Sequence, residues 1–272
     1  MNWEKTALQA ARIAADTGRF LRQELGQVQQ AQIEEKSLNS LVSYVDKEAE
    51  ARLVGQLAKL APGCTFFTEE DSVENEDSDL QWIIDPLDGT TNFLYELPVF
   101  SVSLALKAGG ELVLGVVHEV NREESFYAWA GGGAYCNGKQ IHCSQRPGLA
   151  QSLIATGFPY YDYAHTEAYL EVLRHFMEHT RGIRRLGSAA VDLAYTACGR
   201  FDGFFEYSLQ PYDVAGGVVL VQEAGGVVTD FSGGSGYLFG REMVASNTAI
   251  AADFLSVIQR AFRAGGTAGL RK

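Results

Sequence analysis

Apolar residues recur at two different periods along this chain, and the change of period divides it. Trp3, Ala7, Ala10, Ala14, Leu21 and Leu25 repeat at roughly helical spacing, which predicts an amphipathic helix over 3–25. A second helix is predicted from about Asp46 to Leu60, with Ala49, Leu53 and Leu57 on one face and Pro62-Gly63 as its stop. Beyond residue 98 the text changes. Segments 99–107, 112–120 and 125–130 read as strands joined by Ala108-Gly109-Gly110 and Asn121-Arg122, and Asn137-Gly138 is a two-residue hairpin signal. This half predicts an antiparallel meander covered by helices.

From about residue 150 strand and helix alternate. Strand 153–156 precedes a helix over 165–179, and 183–186 leads into one opened by Gly187-Ser188. Strand 203–207 leads to a helix at roughly 212–224, and 243–246 precedes a final helix. Such alternation predicts a mixed, largely parallel sheet sandwiched by helices. The expected organisation is therefore an N-terminal α+β half, 1–150, and a C-terminal α/β half, 151–272, with no linker between them and no internal repeat. Gly265-Gly266-Thr267-Ala268-Gly269 is expected to fray.

Composition narrows the classes. At 272 residues, 46% hydrophobic and 21% charged, the chain reads as a soluble globular protein with room for a sizeable core. It holds no run of about 18 apolar residues, so no membrane span is expected, and Met1-Asn2-Trp3-Glu4-Lys5 lacks the layout of a signal peptide. Cys64, Cys136, Cys143 and Cys198 form no C-x-x-C pair and read as free thiols in a reducing cytoplasm. A net charge of −12 argues against a nucleic-acid backbone as partner. It also sets a condition for any phosphate chemistry: an acidic site repels phosphate unless divalent cations invert the local field.

That condition meets its chemistry in Trp82-Ile83-Ile84-Asp85-Pro86-Leu87-Asp88-Gly89-Thr90-Thr91-Asn92-Phe93. An apolar strand delivers two carboxylates, three residues apart, onto a turn rich in backbone donors. Pro86 removes one donor and fixes φ; Gly89 lets the backbone approach a ligand closely. Two hard oxygen ligands beside exposed amides suit Mg²⁺ bridging to a phosphate. A lone D-P-x-D is usually only a tight bend, but the full run is far more specific.

Other acids are ambiguous taken singly. Glu69, with Glu70, ends the short apolar strand 64–68 and can turn inward, whereas Glu74, Glu76 and Asp77 read as solvated. Asp213, in Pro211-Tyr212-Asp213-Val214-Ala215-Gly216-Gly217, looks like a helix N-terminal carboxylate whose small neighbours allow close packing. Ser43-x-x-Asp46 resembles a capping box, and Glu206 ends a strand. Gly187-Ser188-Ala189-Ala190 opens a helix with small residues, which serves either tight packing or an anion or hydroxyl. Arg181, Arg184 and Arg185 read as a solvated basic face or as a site for a second phosphate.

Together these pieces resemble the inositol monophosphatase family of lithium-sensitive, Mg²⁺-dependent phosphatases. The likeness covers nearly the whole chain and rests on Glu69-Glu70, the Trp82–Phe93 run, Gly187-Ser188-Ala189-Ala190 and Tyr212-Asp213-Val214-Ala215-Gly216, in that order. The resemblance implies a layered αβαβα sandwich and a homodimer. It implies Glu69, Asp85 and the Leu87 carbonyl at one Mg²⁺, and Asp85, Asp88 and Asp213 at a second, with Asp85 bridging. A third Mg²⁺ would rest on Glu69 and water. It further implies that Gly89 and Thr90 amides bind the phosphate, and that Glu206, Asp88, Asp213 and the Gly187, Ser188 and Ala189 segment face the substrate. Thr90 and Asp46 would orient or deprotonate the attacking water, with Glu69 in support.

Three positions depart from the family pattern. Thr68 replaces the glycine often found before the metal glutamate, and Gln210 replaces a histidine found in some members. In Lys36-Ser37-Leu38-Asn39-Ser40-Leu41-Val42-Ser43, Ser40 stands where many members have aspartate, so the lid and third metal are less defined. The implied reaction is hydrolysis of an inositol monophosphate. Fructose 1,6-bisphosphate, 3′-phosphoadenosine 5′-phosphate and histidinol phosphate are alternatives on the same fold, and a non-catalytic regulatory binding protein is the alternative from another class.

Overall fold

The computed structural model describes residues 1–37, 40–76, 78–159 and 162–268. The first helix, α1 (Trp3–Glu24), is capped by Asn2 and buries Ala7, Ala10, Ala14 and Leu21, the predicted stripe. It is followed by an antiparallel hairpin, β1 (Ile33–Ser37) and β2 (Ser40–Ser43), which polar residues kept from view in the hydrophobic pattern. Leu38 and Asn39, part of the expected lid segment, lie outside the described residues. Helix α2 (Tyr44–Leu60) starts two residues before its expected position and ends at Leu60 as expected.

Then come β3 (Thr65–Thr68), β4 (Leu80–Asp88), the short α3 (Thr90–Leu94), β5 (Ser101–Ala108), β6 (Glu111–Glu119), β7 (Glu124–Trp129), β8 (Gly133–Cys136) and β9 (Lys139–Ile141). They form one seven-stranded sheet in chain order, antiparallel apart from the parallel β3–β4 edge. Asn137 and Gly138 close the β8–β9 turn with φ of 48° and 81°, as a hairpin of this hand requires.

The remaining elements are β10 (Leu153–Thr156), α4 (Thr166–His179), β11 (Gly182–Arg184), α5 (Ala189–Ala197), β12 (Gly203–Tyr207), α6 (Pro211–Glu223), β13 (Val227–Thr229), β14 (Glu242–Ser246) and α7 (Ala251–Ala268). Their sheet runs β11-β10-β12-β14-β13 and is mixed. The three strands β11, β10 and β12 are parallel, while β14 enters antiparallel to both β12 and β13. The backbone of α7 stays helical to Ala268, through the glycine pair expected to fray; Gly269 is outside the described residues.

Five layers result. Helices α1 and α2 cover one face of the large sheet around Leu21, Leu53, Trp82 and Leu104. On its other face lie α5 and α6, which also meet the small sheet through Leu193, Val218, Phe204 and Ala245. Helices α4 and α7 close the outer side around Phe176, Phe205 and Phe254. This is the expected αβαβα order. The middle layer depends on glycine: a Cβ at Gly216 would stand 2.9 Å from the Leu104 and Val116 carbonyl oxygens, so α6 can lie on the strands only without one. That close seat fixes where α6 begins, and so where Asp213 stands. Among the described residues the four cysteines are free, and no helix is long and apolar enough to cross a membrane.

Candidate active site

Strand β4 bulges between Asp85 and Asp88, which pair with Ser103 and Ser101 while Pro86 and Leu87 are looped out of register. Proline tolerates the bulge because it has no ladder donor to lose. The chain then passes through Gly89, at φ 97°, where a Cβ would lie 3.2 Å from two carbonyl oxygens, those of Gly187 and Val99. Leu87 N donates to Asp85 Oδ1 at 3.0 Å, and the Leu87 carbonyl lies 3.0 Å from Thr90 Oγ1, one of two acceptors within reach of its single hydrogen. Asp85 and the threonine are thereby tied to their own loop, whereas Asp88 is held from the start of α5.

Three other chain segments reach the same cleft of about 110 Å³, which is lined by Glu69, Asp85, Asp88, Thr90, Glu206 and Asp213, among others. Glu69 arrives from the end of β3. Asp88 Oδ2 accepts from Ser188 Oγ at 2.6 Å and from Ala190 N at 2.7 Å, so the anion at the start of α5 is the chain's own carboxylate. Asp213 is the third residue of α6 and accepts Gln210 N at 2.7 Å. Asp46 sits just behind: Ser43 N and Ser43 Oγ both donate to its Oδ2 at 2.8 Å, and Thr90 Oγ1 donates to its Oδ1 at 3.1 Å. The capping-box reading of Asp46 and its placement beside Thr90 therefore hold together in one side chain.

The electrostatics are unbalanced. Burial raises Asp85 well above the carboxylate range, and the charges of Glu69, Asp88 and Asp213 raise it further. Burial and the Asp88 charge push Asp213 to about 7. Burial lifts Asp88 to about 6 despite the Ser188 and Ala190 hydrogen bonds, and burial then Asp213 and Asp88 raise Glu206. Among the described residues lining the cleft, Arg185 is the only cation. An all-oxygen donor set of crowded, buried carboxylates fits a hard divalent cation such as Mg²⁺, which would relieve the repulsion that raises each of them. The side chains line the cleft rather than close on one point: among the described residues no three acidic, His or Cys groups form a ready-made metal cage.

Every candidate residue except Asp46 lines this cleft: Glu69, Asp85, Leu87, Asp88, Gly89, Thr90, Gly187, Ser188, Ala189, Glu206 and Asp213. Gln210 lines it too. The arginines divide, Arg185 to the cleft while Arg181 and Arg184 line a separate groove with Arg146 and Arg200. Pattern reading missed four wall positions, Gly157, Asp192, Ser208 and Leu209, and two of them bear on the site. Asp192, on α5, is 1% exposed, and its Oδ1 has no hydrogen-bond partner. Gly157 leaves no room for a side chain, since a Cβ there would fall 2.1 Å from the Glu206 carboxyl. The helical period of α5 carried the only signal for Asp192, a charge among apolar neighbours. Nothing local pointed to Gly157.

A five-layered α/β protein with an acidic cleft at its sheet ends is the class that fold and site define. The inositol monophosphatase family model matches residues 2–262, and the chain belongs to that family. An inositol-1-monophosphatase of Mesorhizobium japonicum is 41% identical over 248 residues, covering 91% of this chain and 93% of that protein. The protein named Nus factor SuhB in Escherichia coli K12 is also 41% identical, over 88% of this chain and 90% of its own length. Among solved structures, the extragenic suppressor protein suhB of Bartonella henselae superposes with a TM-score of 0.87 at 39% identity, covering 94% and 98% of the two chains. The Thermotoga maritima IMPase does so at 0.85 and 35%, covering 94% and 97%.

Proposed function

We propose that this chain is a Mg²⁺-dependent phosphomonoester hydrolase acting on an inositol monophosphate. The observation that carries the reading is the convergence of Glu69, Asp85, Asp88 and Asp213, from three separate segments, on one cleft beside the Thr90–Asp46 hydrogen bond. Glu69, Asp85 and the Leu87 carbonyl would hold one ion, Asp85, Asp88 and Asp213 a second, and Glu69 with water a third. When bound, Mg²⁺ neutralises phosphate oxygens and lowers the pKa of water.

The chain's own groups do the rest. The Thr90 hydroxyl donates to Asp46, which leaves the Thr90 oxygen to accept a hydrogen bond from the attacking water and set its direction. The water oxygen bonds to phosphorus as the ester P–O bond breaks; of the water's two protons one ends on the departing alkoxide oxygen and the other stays on the released phosphate. Gly89 and Thr90 amides hold the phosphate. Glu206, Asp88 and the Gly187, Ser188 and Ala189 segment accept or donate to ring hydroxyls. No cysteine or histidine lines the cleft among the described residues, in keeping with direct attack by water.

Phosphate release from inositol 1-phosphate, fructose 1,6-bisphosphate, histidinol phosphate and 3′-phosphoadenosine 5′-phosphate, with and without Mg²⁺, tests the reading. The highest kcat/KM is expected for inositol 1-phosphate, and no Mg²⁺-dependent release from any of them would sink it. Family membership also supports a cytoplasmic homodimer inhibited by lithium at millimolar-range concentrations, checked by sedimentation and by activity against LiCl. The relatives named Nus factor SuhB favour a second reading, a regulatory binding protein. In that case Asp85→Asn would abolish turnover and leave the chain's cellular role intact.

A further inference from the structure

We infer that Glu50, on α2, is the positioning residue for Glu69; the inference rests on the reading of Glu69 as a metal ligand. Glu50 follows Asp46 by four residues, one turn along the same face of the helix. It is completely buried. Both of its oxygens are spent on the backbone of the loop that leaves β3: Oε2 accepts Glu70 N and Oε1 accepts Ser72 N, each at 2.8 Å. Charge-assisted bonds of this kind are about twice as strong as neutral ones.

The amides it holds flank Asp71, whose φ of 53° turns the chain back on itself. The other side of the loop is tied as well. Thr68 N donates to Asn75 Oδ1 and Asn75 Nδ2 donates to Asp71 Oδ1, both at 2.9 Å. Glu69 is therefore a single residue between two anchored amides, Thr68 N and Glu70 N. Beyond it the loop is exposed and acidic through Asp71, Glu74 and Glu76, and would swing away from the other carboxylates without a tether. A carboxylate is the group required, because it only accepts. Glutamine would present its NH₂ to one of two N–H donors and lose that tether, leaving the amide to water.

One turn of α2 thus does two tasks. Asp46 faces Thr90, and Glu50 grips the loop that carries Glu69, so the water-directing pair and the metal carboxylate share one rigid support.

Mg²⁺ binding by titration calorimetry tests this on the full-length wild type, Glu50→Gln, Glu69→Gln and the double variant, with circular dichroism to check folding. Glu50→Gln should weaken Mg²⁺ binding about tenfold, a usual size for loss of an outer-shell partner. Its kcat at saturating Mg²⁺ should stay within about threefold of wild type, since no group touching the substrate has changed. Hydrogen exchange at the Glu70 and Ser72 amides should become fast. The double variant should bind no more weakly than Glu69→Gln alone, because both changes act through one ligand. Wild-type binding by Glu50→Gln, or weakening that adds to that of Glu69→Gln, would overturn the inference while leaving the metal reading intact. Wild-type binding by Glu69→Gln would overturn both. Should Glu50→Gln fail to fold, Glu50→Asp, too short to span both amides, carries the same readouts.

Discussion

Helices α2 and α6 open in the same way, and the cleft puts the two openings to different use. On α2 the third residue, Asp46, accepts the backbone N–H and hydroxyl of Ser43; on α6 the third residue, Asp213, accepts the backbone N–H of Gln210. Each carboxylate spends one oxygen on closing its helix. What stands opposite then separates them. Asp46 meets a hydroxyl, Thr90 Oγ1, and its bonds to Ser43 and Thr90 hold down a pKa that burial raises. Asp213 meets burial and the Asp88 charge, and is pushed to about 7. A capping box places a carboxylate; the elements brought across from it decide its chemistry.

The largest effect should come from converting both to asparagine. Each amide keeps an acceptor for its cap, so stability should change by less than about 1 kcal/mol. Asp213→Asn should cut kcat/KM at least about a thousandfold, a loss of about 4 kcal/mol, and should weaken Mg²⁺ binding. Without metal this variant should be the more stable protein, since a like charge has gone from beside Asp88. Asp46→Asn should lower kcat about a hundredfold, the scale of a lost general-base contact, with Mg²⁺ binding unchanged. Steady-state kinetics and calorimetry on the pair decide it. Equal loss of metal binding in both would dissolve the distinction.

A smaller effect separates the wall from the ligands. Gly157→Ala sets a methyl group against the Glu206 carboxyl, which must swing aside. Turnover of the phosphate should survive, while KM for a polyol phosphate rises about tenfold, the usual size of a misplaced pocket contact. If a simple aryl phosphate suffers equally, Glu206 is not acting on ring hydroxyls.

The residues that sequence made legible are those whose partners lie nearby in the chain. Asp85, Asp88 and Thr90 share one loop, and its proline and glycine announce the geometry. Asp46 and Asp213 each carry a local cap signal, though what they face comes from 44 residues away in the first case, at Thr90. Glu50 and Gly157 gave no sign, because their meaning rests on the Glu70 and Ser72 amides and on Glu206. The three arginines read as one block, yet β11 ends at Arg184, and of the three only Arg185, just beyond the strand, lines the cleft. In the fold, the apolar periods found nearly every long element. They missed the β1–β2 hairpin, whose Glu34, Glu35 and Lys36 show no apolar alternation. They also gave no direction to β14, since pairing sense depends on what a strand meets and not on its own composition.

A pH series sets the cleft against a titratable group far from it. His118, on β6, is 5% exposed beneath Gly18 of α1, whose missing Cβ makes room for the ring. Its Nδ1 shares a hydrogen with Ser125 Oγ at 2.9 Å. Burial lowers its pKa to about 4, with Arg22 and Arg19 adding to the effect and Glu123 opposing it. The unfolded chain protonates near 6.5, so above that pH the neutral ring costs nothing. As pH falls from 6.5 towards 4 the unfolded state takes up the proton and the folded state does not, and stability is lost by on the order of 2 kcal/mol. Relative to His118→Gln, the Mg²⁺-free wild type should therefore lose urea midpoint across this window. The cleft carboxylates push the other way in the same window: with pKa values raised from 3.8 to about 6 for Asp88 and about 7 for Asp213, they cost the folded state stability progressively as pH climbs between those values. Mg²⁺ should restore the stability that the carboxylates cost and leave the difference between wild type and His118→Gln untouched. A difference between wild type and His118→Gln that shrinks when Mg²⁺ is added would mean that the response assigned to His118 belongs to the cleft.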